Sequence, residues 1–77
     1  MKQQLEQMLG QEVSVYFESE HFGIGVAGIL REGDSPEEYD VKDRETDQLQ
    51  STFKVPGVRS IENYGRGERH ITLKIGG

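Results

Sequence analysis

Residues 22–34 read FGIGVAGILREGD, and the fold turns on how their glycines are understood. Gly23, Gly25 and Gly28 are spaced G-x-G-x-x-G. That spacing marks the phosphate-cradling loop of dinucleotide-binding folds. The loop works only where a strand leads in and a helix follows at once, within a parallel sheet. Here ILREGDSP arrives at Gly33 and then Asp-Ser-Pro, and EEYDVKD beyond it alternates like a strand. No crossover helix fits, and a complete βαβ unit needs roughly 30 residues. The glycines are therefore expected to serve a strand, where they permit sharp bending and close backbone approach.

Upstream, EVSVYFE alternates too, with Val13, Val15 and Phe17 on one face and Ser14 and Tyr16 on the other. Before it, KQQLEQMLG places Leu5, Met8 and Leu9 at i, i+3, i+4, the spacing of one helix face, and Gly10 stands at the expected stop. So short a helix is not stable alone and must dock. In the glycine strand, Ile24, Val26, Gly28 and Leu30 share a face. Downstream, Tyr39 and Val41 align in a third strand. STFKVPGVRSIEN forms a fourth, broken or bulged at Pro56-Gly57, because proline cannot donate to a ladder. NYGRGER is a glycine-rich turn, and HITLKI closes the set with Ile71, Leu73 and Ile75 aligned. One helix (1–10) and five short strands (11–75), with a Gly-Gly tail at 76–77, predict a mainly β domain built as a strongly bent antiparallel barrel.

Composition narrows the function classes. The 77 residues make one small domain with a thin core, of the size that often gains stability from disulfides, metals or self-association. There is no cysteine, and His21 and His70 are not at metal-ligand spacing, so self-association is the support left open and no cofactor or metal is expected. The N-terminus is too polar for a signal peptide and no apolar run is long enough to span a membrane, so a cytoplasmic location is expected. The net charge of −5 opposes general affinity for nucleic acid. It is uneven: residues 1–50 carry 4 basic and 12 acidic side chains, and residues 51–77 carry 5 and 2. A basic face at the C-terminal end accounts for this, and so does chance segregation in a small domain. The carboxylates lie mostly in turns and on polar strand faces, as a solvated surface would place them. No nucleophile, base and orienting acid stand in a catalytic context, so an enzyme is not expected.

Gly28, Leu30 and Asp34 spell G-x-L-x-x-x-D. Together with the leading helix and flanking strands, this resembles the first motif of the Sm-like family, whose members carry a short helix on a bent five-stranded, SH3-like barrel. The resemblance implies a homo-oligomeric ring, made by pairing edge strands of neighbouring subunits, and single-stranded RNA as ligand. It also implies where RNA would be held. The family commonly has asparagine four positions after the aspartate, where this chain has Glu38. It has a stacking side chain between the two, where this chain has Pro36. Its second motif centres on Arg-Gly, where this chain has Arg59-Ser60. An ionised Glu38 repels phosphate and cannot donate to a base carbonyl, and no aromatic platform is evident in the sequence. Tyr64, Arg66 and Arg69 join Arg59 as the best basic and aromatic combination, unless NYGRGER is simply a solvated turn. Two readings result: an Sm-like, RNA-binding ring, or a protein-interaction and assembly module without a nucleic-acid role.

Overall fold

The computed structural model describes residues 2–21, 23–64 and 68–74. One short helix, α1 (Lys2–Gln7), precedes six strands: β1 (Glu12–Glu18), β2 (Gly23–Glu32), β3 (Glu38–Lys42), β4 (Leu49–Lys54), β5 (Val58–Tyr64) and β6 (Glu68–Lys74). They form one open sheet in the order β4-β3-β2-β1-β6-β5. The chain is thus mainly β with an N-terminal helix, as its periodicities predict.

The expected helix over 1–10 ends at Gln7, and Met8–Gly10 turn out of it. Gly10 takes φ 83°, the left-handed conformation that favours glycine after a helix. Its N–H donates to the Leu30 carbonyl at 2.8 Å, and the Leu30 N–H donates to the Gln11 carbonyl at 3.0 Å. These two bonds tie the helix exit to β2. Leu5 and Met8 are buried and Leu9 packs partly against them, so the predicted apolar face is the docked one.

Two expectations of five antiparallel strands are corrected. The stretch around Pro56 is not one bulged strand. A 3-10 turn at Val55–Gly57 divides it into β4 and β5. Proline suits the first turn of such a helix, where its fixed φ fits and its missing N–H is no loss. The Val55 N–H donates to the Glu37 carbonyl at 2.8 Å and pins this corner to the β2–β3 turn. Beyond it the chain lays β5 at the far edge and fills the gap between β5 and β1 with β6. Consequently β6 runs parallel to β1, pairing Val15 with Ile71, while β5–β6 is antiparallel. The expected NYGRGER turn also shrinks. Asn63 and Tyr64 pair with Arg69 and Glu68 in the ladder, and residues 65–67 lie outside the described ones, as does Ile75.

One face of every strand feeds a single core of Val13, Val15, Leu30, Tyr39, Val41, Phe53, Val58 and Ile71, with Leu5 and Met8 of α1. The alternation predicted for β1 and β3 is the one observed. In β2 it holds at Gly28 and Leu30 and fails at Ile24, which is 54% exposed. Only residues 29–32 of β2 pair with β3, so the N-terminal part of this ten-residue strand overhangs the core. Gly28 has the strictest steric reason to be glycine. A Cβ there would stand 2.5 Å from the Lys42 carbonyl oxygen and 2.9 Å from Val41 Cγ1, beside the bulge at Val41/Lys42.

Candidate functional site

The residues singled out in the sequence fall into two places. Gly28 and Leu30 are core residues of β2, and Asp34 is exposed in the turn that follows. That turn is closed by two backbone bonds: the Gly33 N–H donates to the Glu38 carbonyl at 2.9 Å, and the Glu38 N–H donates to the Ser35 carbonyl at 3.1 Å. Pro36 is exposed at the tip, and its carbonyl accepts from the Lys2 ammonium. Glu38 opens β3, half-buried and opposite Lys54.

Between α1 and this turn lies a cleft of about 400 Å³, lined among others by Lys2, Glu6, Glu32, Asp34, Glu38 and Tyr39. Four carboxylates face one ammonium there, which disfavours a phosphate backbone in this cleft. The Lys2 ammonium stands 3.9 Å from Glu6 and 5.7 Å from the centre of the Tyr39 ring. The Tyr39 hydroxyl donates to Glu6 Oε1 at 2.7 Å. Burial, then the hydrogen bond to Glu6, then the negative charges of Glu6 and Glu32 push the Tyr39 phenol up to about 12. A value raised by folding means that this group's contribution to stability is complete below 10.0, its ordinary value, and fades as pH climbs through 12. An ultraviolet titration should therefore show a late phenolate step near pH 12 that Tyr39→Phe removes. The same variant should cost about 1 kcal/mol in urea unfolding near neutral pH, because the exposed Glu6 returns to water.

Arg59 lies elsewhere, on β5, with its guanidinium 3.5 Å from Glu18 Oε2 at the end of β1. Both side chains are exposed, so the pair is worth little, about 0.2–1 kcal/mol. Ser60 is half-buried and opposite Thr72. Tyr64 and Arg69 are placed in the strands by their backbones alone, and Arg66 lies outside the described residues. Among the described residues, no hydrogen bond or ion pair links Arg59 or Ser60 to Pro36 or Glu38.

An aromatic pair does exist where none was evident in the sequence. Tyr16 and His70 stack across β1 and β6, centroids 5.3 Å apart and planes 24° from parallel. Tyr16 also covers Gly25 opposite it on β2; a Cβ on Gly25 would stand 3.2 Å from the ring. The outward direction of Tyr16 follows from alternation, but its partner depends on the parallel β1–β6 register. Among the described residues, no helix is long and apolar enough to cross a membrane. Comparison with protein-family models, with curated proteins and with solved structures finds no match to this chain.

Proposed function

We propose that this chain is a non-enzymatic assembly module, an Sm-like or SH3-like bent barrel that self-associates through its sheet edges. The observation that carries this reading is the open sheet, whose outer strands β4 and β5 have no further strand beside them among the described residues. Unpaired edge N–H and C=O groups are a template for another strand. Pairing β4 of one copy with β5 of the next satisfies both edges and propagates head to tail, which closes into a ring when the rotation permits. Phe53 of β4 and Val58 of β5 belong to the same core cluster although they stand at opposite ends of the strand order. That shared core supports the bent-barrel reading, and added buried surface suits a 77-residue domain without cysteine.

Single-stranded RNA is the alternative occupant implied by the G-x-L-x-x-x-D resemblance. The acidic cleft beside Pro36 and Glu38 favours the assembly reading over it. Analytical ultracentrifugation and hydrogen exchange test the proposal together. The expected result is a defined oligomer in which backbone amides on both β4 and β5 are protected. A monomer at high concentration, with rapidly exchanging outward amides on β4, overturns it. For the alternative, Arg59→Ala should weaken binding of oligo-uridine at low salt, and the absence of any binding there rejects it.

A further inference from the structure

A second cleft, of about 610 Å³, lies between the exit of α1 and the turn joining β3 to β4. Two cations face it from the outward side of the sheet. Ile29 pairs with Lys42 and Arg31 with Asp40, so Arg31 and Lys42 are diagonal neighbours across β2 and β3. Long side chains on such a diagonal are within reach of each other, and like charges there repel. The obvious counter-ion is Asp40, directly opposite Arg31, yet no ion pair forms between them. Asp40 Oδ1 instead accepts from Thr52 Oγ1 at 2.9 Å. The Arg31 guanidinium lies toward the helix exit, where a Cβ built on Gly10 would be 3.9 Å from its Nη1. Among the described residues, neither Arg31 nor Lys42 makes an ion pair.

The other charges of the lining are partly committed. Arg44 pairs with Glu12 at 3.5 Å. Asp43 Oδ1 accepts from the N–H groups of Thr46 and Glu45 at 2.9 and 2.8 Å, and these bonds hold its carboxyl below the ordinary value. Glu32 and Asp47 also line the cleft and oppose an anion electrostatically. Two adjacent cations that form no ion pair among the described residues, in a chain of net charge −5, nevertheless point to an anion that seats between them. A guanidinium fork beside an ammonium fits the oxygens of a tetrahedral phosphate.

We propose that this cleft binds a phosphate group between Arg31 and Lys42. The site is separate from the sheet edges and does not depend on the assembly reading. It is tested with the full chain, titrated with inorganic phosphate and with a nucleoside monophosphate at constant ionic strength, while the side-chain NMR signals of Arg31 and Lys42 are followed. Saturable shifts at both residues are expected, with chloride giving none. Arg31→Gln and Lys42→Gln should each weaken binding about tenfold, the worth of one charged hydrogen bond. Tighter binding of the monophosphate would identify an ester as the source, and equal binding would identify free phosphate. A cation near a helix C-terminus also has a structural explanation through the helix dipole. If Arg31→Gln lowers thermal stability while phosphate shifts the Lys42 signal as before, or if no shift saturates, the proposal is overturned.

Discussion

Gly28→Ala should leave the domain largely unfolded. The added methyl would meet the Lys42 carbonyl oxygen at 2.5 Å and Val41 Cγ1 at 2.9 Å, and the first of these is backbone held in the sheet. Relief requires β2 and β3 to separate where both strands carry core residues, Leu30 and Val41. Overpacking in a close-packed core costs about 1–3 kcal/mol. A core of this size rarely supplies more than about 3–5 kcal/mol. The variant should therefore show a much reduced urea midpoint or no cooperative transition. Gly23→Ala is the matched comparison. Its Cβ would make only an ordinary contact, 3.7 Å from the Phe17 carbonyl oxygen. Removing a strand glycine should be neutral or stabilising by up to about 1 kcal/mol. Equal stabilities for the two variants would refute the close-approach account of Gly28.

Leu5→Ala should release the helix and cost about 2–5 kcal/mol, the range for emptying a leucine site. Leu5 is fully buried and is the only buried residue within Lys2–Gln7. Six residues cannot hold a helix in water by themselves, so losing this anchor should abolish the helical circular dichroism and lower the unfolding midpoint together. Leu5→Met, which nearly conserves volume, should cost under about 1.5 kcal/mol and keep the helix. An alanine variant with unchanged midpoint would show that the hydrogen bond from Tyr39 to Glu6 and the bond from Lys2 to the Pro36 carbonyl suffice to dock α1.

Much of the scaffold was legible because it depends on local periodicity. The docking of Leu5, Met8 and Leu9, and the inward positions of Val13, Val15, Tyr39 and Val41, follow from a spacing of 3.6 or 2, although the helix itself ends at Gln7, short of the expected stop at Gly10. The strand count was not legible, because Pro56-Gly57 is compatible with either a bulge or a corner. The bond from the Val55 N–H to the Glu37 carbonyl, between turns distant in sequence, helps to hold the corner. The candidate site was less legible still. Pro36 and Glu38 belong to the cleft under α1, whereas Arg59 sits against Glu18.

The sequence by itself determined a mainly β chain with a docked N-terminal helix, and it excluded a nucleotide loop because no helix can follow Gly28. These are matters of neighbours along the chain. Tertiary structure alone decided the parallel pairing of β1 with β6, the Tyr16–His70 stack that this register creates, and the diagonal placement of Arg31 and Lys42 beside an open cleft. Each depends on which strand lies beside which. Burying the shared core sets that order, and no period within a single strand encodes it.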